Sequence, residues 1–434
     1  MLRSLYSAVS GLNTHQTELD VIGNNIANVN TTAYKSQALS FSDLMYQTTR
    51  SASGATATTG SISAKQIGLG VMTGAISTNI STQGSATTTS YPFDMMISGS
   101  TFFAVNNGTG TYYTRDGSFD VDSKGDLVTR NGGYYVQGWT STDGSTVSTT
   151  GAIGKLTLQS TALNTSAAAA TSNATFTGNI DKDDTSVNSD NGKTLSLEVY
   201  GSDGKKYTLN FALTNGDDSD STTYTLSLKS ATDADGNSLT MGTNSDIKLV
   251  YNATSGNFVS ANGNTSGNVT LNLPGTMGGT LTVGLAATTA YASTTTGSST
   301  IKAATGDTDG NGKGRAVGTM NGITVSENGQ INATYTNGAT RLIGQIATAS
   351  FANASGLEKV GDNLYGVTQN SGAATYVDVT ADGGKISTGV LEASNVDLAD
   401  EFTRMITAQR GFQANSRVIT TSDSMLQELK NLKR

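Results

Sequence analysis

The sequence predicts an α+β chain: N- and C-terminal helices paired in a coiled-coil-like domain, with nested all-β domains in the middle. Apolar residues recur every seven positions at both ends, at Leu5, Leu12, Leu19 and Ile26 and again at Leu391, Leu398, Met405, Phe412, Ile419 and Leu426. A strict period of seven keeps one seam on a partner and implies left-handed helix packing. Between the ends the period switches to two, the alternation of half-buried strands. Charged residues make up only 14 % of the chain, against about 25 % in ordinary soluble domains. Ser, Thr, Asn and Gly therefore keep the surface wet, and they suit turns and strand edges.

At 434 residues the chain exceeds a single-domain length of roughly 100–200 residues. Residues 1–32 and 393–434 read as the terminal helical domain. Ser394 with Asp397 three later resembles a capping box. Asp397, Asp400 and Glu401 at the start of the C-terminal helix, and Lys430, Lys433 and Arg434 at its end, suit the helix dipole. Counting four on from the seam gives Phe402, then Gln409, Ser416 and Asp423, so the apolar stripe is too narrow for an isolated helix pair. Self-assembly is the expected completion, with an intramolecular helix pair that merely closes the domain as the alternative.

Residues 33–90 and 375–392 read as an extended connector. Residues 91–144 and 311–374 form an inner β domain, in which Gly322–Ile331 repeats the pattern of Ser118–Leu127, including a hairpin around Ser123-Lys124-Gly125. Residues 145–310 form an inserted outer β domain, with alternating segments such as Leu195–Val199 and Tyr207–Leu213 around a Gly201-Ser202-Asp203-Gly204 turn.

Net charge is −8. Residues 1–50 carry Arg3, Lys35 and Arg50 against Glu18, Asp20 and Asp43, and residues 390–434 are balanced as well, so the excess lies in the middle. Neutral ends stack on copies of themselves without accumulating repulsion. An acidic chain is a poor partner for nucleic acid, and no run reaches the ~18–20 apolar residues of a membrane span. Met1–Ser7 lacks the apolar core of a secretory signal.

Candidate chemistry is sparse. The chain has no Cys and one His, which excludes thiolate nucleophiles and multi-histidine or cysteine metal sites. Asp307-Thr308-Asp309-Gly310-Asn311-Gly312 matches the first half of a calcium loop, but position 12 of that loop is Gly318 where an acidic ligand is required. It reads as a turn, with a weak cation site as the alternative. Gly192-Lys193-Thr194 ends like a phosphate loop whose first glycine is replaced by Val187. His15 lies between seam positions and reads as an interface histidine rather than a general base. Asp116, Asp120 and Asp122 read as solvated turn and strand residues. No catalytic, metal or cofactor-binding residues are expected, and no enzyme activity.

The stretch Gly23-Asn24-Asn25-Ile26-Ala27-Asn28-Val29-Asn30-Thr31-Thr32-Ala33-Tyr34-Lys35 resembles the signature of bacterial flagellar rod and hook axial proteins. Its matching positions are Asn24, Asn25, Asn28, Asn30 and Lys35. Leu391–Leu398 through Ala408-Gln409-Arg410 and Asn415 is similar to the family's C-terminus. Tyr113-Thr114-Arg115-Asp116-Gly117 with Phe119, and Gly344-Gln345-Ile346-Ala347 through Gly356-Leu357, resemble its middle. The long insertion and the Gly-Gln-Ile-Ala block look like the hook branch. Asp43–Thr48 and Gln66–Val71 look like the connector of the distal rod branch, the runner-up. A secreted β-rich adhesin is the alternative from another class.

The resemblance implies a subunit exported unfolded through the flagellar type III route without a cleaved signal, polymerising under a cap into a curved extracellular tube that carries torque. Absence of Cys and scarcity of Pro suit such threading. Paired end helices would line a central channel. Implied partners are copies of the chain, the distal rod protein, the hook cap, the hook-length control protein, the hook–filament junction protein and the export apparatus. Neither nucleic acid nor membrane insertion is implied. The assembly seam is expected at Leu5, Leu12, Leu19, Ile26, Leu398, Met405, Phe412, Ile419 and Leu426.

Overall fold

A computed structural model describes residues 2–55, 58–216, 222–240, 245–292 and 297–431. Lys433 and Arg434, expected at the end of the last helix, lie outside them. The described chain is mostly β, with two long helices: α1 (Leu2–Ala27) and α2 (Leu398–Asn431). Two compact units divide it. One comprises Met1–Ser160, Ile323–Ala333 and Arg341–Arg434; the other comprises Thr161–Gly322 and Thr334–Thr340.

In the first unit α1 and α2 run antiparallel. A Cβ on Gly11 would lie 2.6 Å from Asn415 Nδ2, and one on Gly411 would lie 2.6 Å from His15 Nε2, so glycine lets the backbones approach. The cap of α2 is Asp397 rather than Ser394, because its Oδ1 accepts from Ala399 N at 2.8 Å and Asp400 N at 3.4 Å. Residues 393–397 are accordingly not helical, a later start than the domain boundary at 393. A carboxylate at this position satisfies orphan amides and opposes the positive helix end.

The stretch after α1 folds on itself. Strands β1 (Gln37–Asp43) and β4 (Val71–Thr78) pair antiparallel, and between them β2 (Tyr46–Arg50) pairs with β3 (Lys65–Gly68). Gly70, at φ +126°, turns this arm against α1: a side chain there would strike Ser10. Ser10 Oγ also accepts from Val71 N at 3.3 Å.

The inner sheet joins Phe102–Asn106 to Thr111–Thr114, Tyr135–Thr140 and Thr348–Ser350. Its core contains Phe102, Tyr113 and Tyr365, with Phe351 edge-on to Tyr113 at 4.8 Å. Gly154–Lys155 pairs with Tyr135–Thr140, so the chain beyond 144 still adds to this sheet. The compact second unit therefore begins near 161 rather than 145. Similarly, Thr375–Val377, read as connector, pairs with Thr348–Ser350. The repeated pattern corresponds to two turns with the same device: Gly125 at φ +84° donates to Asp122 O at 2.9 Å, and Gly329 at φ +79° donates to Ser326 O at 2.8 Å.

The second unit holds a sheet of Lys193–Tyr200, Lys206–Asn215, Thr223–Asp233, Ile247–Tyr251 and Phe258–Ala261, plus a smaller sheet around Asn173–Asn179. Alternate residues Leu195, Leu197 and Val199 face Phe211, Leu209 and Tyr207 in one core. Phe176 meets Phe211 edge-on at 5.4 Å. Asp307 closes its own loop, accepting from Asp309 N at 3.0 Å and Asn311 N at 2.8 Å. That is the turn reading of the calcium-like segment.

Candidate assembly interface

The signature after α1 builds a junction where both chain ends meet the inner β unit. Helix α1 ends near the amide-rich run, and the chain reverses through Ala33, held at φ +56° in the left-handed region. A non-glycine residue costs of order 1 kcal/mol there. Its amide donates to Glu392 O at 2.8 Å, which ties the reversal to the strand before α2.

Asn25 is fully buried, and its side chain makes four hydrogen bonds to three residues. Nδ2 donates to Gln37 O at 2.8 Å and Glu401 Oε1 at 3.0 Å; Oδ1 accepts from Gln37 N at 3.0 Å and Tyr34 OH at 3.2 Å. An amide carries two donors and an acceptor with two lone pairs, so this site uses its whole capacity. Burial raises the Tyr34 hydroxyl above its usual value, and the Glu401 carboxylate adds to that. Burial likewise raises the Glu401 carboxyl, against the lowering effect of the Asn25 hydrogen bond.

Lys35 is buried just beyond. Its Nζ donates to Glu392 Oε1 and to Thr82 O, both at 2.7 Å, while Glu392 Oε1 also accepts from Gly84 N at 2.9 Å. Arg115 Nη1 stands 4.0 Å from Glu392 Oε2, and its Nη2 donates to Gly99 O at 2.6 Å. Burial lowers both cations below their usual values, and Glu392 pulls each back up. Asn395 adds a polar clasp, accepting from Ser36 N at 2.8 Å and donating to Asn79 O at 2.9 Å. A buried charge without its partner costs several kcal/mol, so this cluster specifies one arrangement of arm, strand and helix.

Of the other signature residues, Asn28 Nδ2 donates to Asn24 O at 2.9 Å and Asn24 Oδ1 at 2.8 Å, at the C-terminal end of α1. Asn30 is exposed. The sequence places Glu401 at a helix start and Arg115 in a family-like stretch, but assigns none of Glu392, Glu401 and Arg115 to this junction. A signal for the first was present: Lys35 is the lone charge in Gly23–Lys35, and Glu392 is the lone charge in residues 386–396.

The helix surfaces differ from the expected seam in detail. Leu5, Leu12, Leu19, Ile26, Met405, Phe412 and Ile419 are half-buried, whereas Leu398 and Leu426 are exposed. The most buried stripe of α2 is Glu401, Ala408 and Ser422, and that of α1 is Ala8, Gly11, Thr14, Ile22 and Asn25. The second row of α2 therefore falls three residues beyond the seam row, on small and polar residues. Gln409 and Asp423 are exposed and Ser416 is half-buried. His15 sits in this interface, its Nδ1 3.0 Å from Glu18 Oε2 and its ring against Phe41.

Tyr6, Val9, Leu69, Phe402, Ile406, Val418, Met425 and Leu429 remain exposed. Apolar surface on this scale marks an interaction site on a soluble chain. Among the described residues no group of three or more His, Cys, Asp or Glu side chains is placed to hold a metal ion, and no helix is long and apolar enough to cross a membrane.

Three family models match. Residues 5–35 match a model described as flagella basal body rod protein, residues 96–183 the flagellar hook protein FlgE/F/G D1 domain, and residues 387–432 the flagellar basal body rod FlgEFG protein C-terminal. The flagellar hook protein FlgE of Treponema pallidum is 35 % identical and that of Borreliella burgdorferi 36 % identical, each covering 100 % of both chains. The flagellar basal-body rod protein FlgG of Bacillus subtilis is 31 % identical, again over 100 % of both. Matched end to end by such relatives, and at both termini by the family's own models, the chain belongs to the FlgE/F/G family of flagellar hook and basal-body rod proteins.

Proposed function

We propose that this chain is the structural subunit of the flagellar hook, polymerising with copies of itself into a flexible curved tube that passes torque from rod to filament. The observation that carries this reading is the pair of terminal helices, which bury a narrow stripe between them and leave long apolar rows uncovered. A monomer gains nothing from such rows; a polymer buries them. In this reading α1 and α2 pair as a coiled coil lining a central channel, the stretches that follow α1 and precede α2 connect, and the β domains lie outside. Catalysis has no part in it.

Its neighbours would be the distal rod protein, the hook cap, the length-control protein, the junction protein and the export apparatus, with the subunit delivered outside the cell by the flagellar type III route. The distal rod is the second reading, favoured by the full-length FlgG relative. Deleting the gene and imaging basal bodies separates the two. Complete rods lacking hooks on non-motile cells support the hook subunit; truncated rods support the rod subunit; hooks of normal form overturn both.

A further inference from the structure

A groove of about 460 Å³ runs along the outer flank of α1, between Tyr6, Val9, Ser10 and Asn13 on the helix and Leu44 and Leu69 on the arm, with Arg3 at its end. Its lining is mainly apolar, and Tyr6, Val9 and Leu69 are exposed. At the start of α2, far from this groove, Leu398, Phe402 and Ile406 are also exposed. Spaced by four, they form one ridge on the helix.

We infer that the Leu398–Phe402–Ile406 ridge of one copy docks in the α1 groove of the next, a contact that rests on the hook-subunit reading. Charge selects this ridge. Residues 2–17 carry Arg3 and no acid, whereas the start of α2 carries the exposed Asp397 and Asp400. The Asp400–Arg404 pair at 2.9 Å is solvent-exposed and contributes little, so Asp400 is free to exchange partners. The other exposed row, Val418, Met425 and Leu429, is flanked by Arg417 and Lys430 but equally by Asp423 and Glu428, and so offers no net charge to complement Arg3.

The ridge cannot fill the groove of its own chain. Gly11 faces Asn415 and Gly411 faces His15, which puts Val9 level with residues near 417. Phe402 is then displaced along the helix by about 22 Å at 1.5 Å per residue. Groove and ridge are different surfaces, so the contact is head-to-tail, and repetition without closure builds an open series.

The chain has no Cys, so introduced thiols are the only ones present. Tubes assembled from a Val9→Cys/Phe402→Cys chain and mildly oxidised are expected to yield a ladder of covalent multimers, with monomer from either single variant. Independently, Ile406→Lys should keep the monomer's melting temperature and abolish assembly, while Ile406→Leu assembles. Tubes without the ladder, a ladder from Val9→Cys/Val418→Cys instead, or normal assembly of folded Ile406→Lys overturns the docking and leaves the hook reading standing. Hooks that persist after gene deletion overturn the hook reading itself.

Discussion

Lys35 Nζ lies 2.7 Å from Glu392 Oε1 across 357 residues of chain, with both side chains out of water. Because Arg115 faces the same carboxylate, the two halves of the pair are not equivalent. Glu392→Gln strands two buried cations and should cost about 3–5 kcal/mol. Lys35→Met leaves Glu392 with Arg115 and should cost less. Denaturant titration of the monomer measures both, and a Lys35→Met variant that is the less stable of the two would contradict this order.

Glu401 carries the pH dependence of the helix junction. Burial holds its folded-state value above the ordinary 4.5. A raised value means the stabilising contribution is complete below the unfolded value and is lost as the pH rises through the folded one. Glu401→Gln retains an oxygen to accept from Asn25 and removes the buried charge. It should match or exceed the parent's melting temperature at pH 7, and the difference should shrink as the pH falls below about 4.5. A variant clearly less stable at pH 7 would refute the assignment.

The inserted unit has the opposite sign. Burial raises the Asp184 carboxyl, but the amides of Ser299 at 2.8 Å and Ser186 at 2.9 Å, with Lys193 Nζ at 3.1 Å, outweigh it and hold the group well below the usual carboxylate range. That stability is present above the unfolded value of 3.8 and is lost as the pH falls below it. Asp184→Asn should destabilise the unit by about 2–3 kcal/mol at pH 7. Hydrogen exchange of the Phe211 and Leu213 amides reads it, and unchanged protection would count against the network.

Much of this architecture was legible in the sequence, for identifiable reasons. Period seven marked α1 and α2, and the alternation at Leu195, Leu197 and Val199 marked a strand, because both patterns are set by backbone geometry. The repeated glycine turn at Gly125 and Gly329 was legible because a positive φ favours glycine. The buried helix stripe was not: much of it is small or polar, Ala8, Gly11 and Thr14 on α1 and Ala408 and Ser422 on α2, residues that close approach favours and hydropathy ignores. Nor were the roles of Arg115 and Glu401, whose partners lie far away in sequence and follow only from the fold.

Overpacking that stripe tests it. Ala408 is buried at the helix crossing, so Ala408→Leu should cost about 1–3 kcal/mol in the monomer. Leu398→Ala, on an exposed ridge, should leave the monomer within about 0.5 kcal/mol yet slow its assembly. Thermal melts and light scattering distinguish the two; equal effects on monomer stability would place the helix contact elsewhere.

Phe412, half-buried on α2, tests the link between the helix pair and the polymer. Phe412→Asp puts a charge against the apolar row and should abolish tubes or weaken them strongly, as read by sedimentation. Tubes of normal stability from this variant would remove the helix row from the assembly.

Whether the terminal helices build the polymer is read from an electron-microscopic reconstruction of tubes assembled from the purified chain. Expected is a tube whose central channel is lined by α1 and α2, with Phe402 of one copy seated beside Val9 of the next. Persistent monomers, or tubes whose channel is lined by strands, would contradict it.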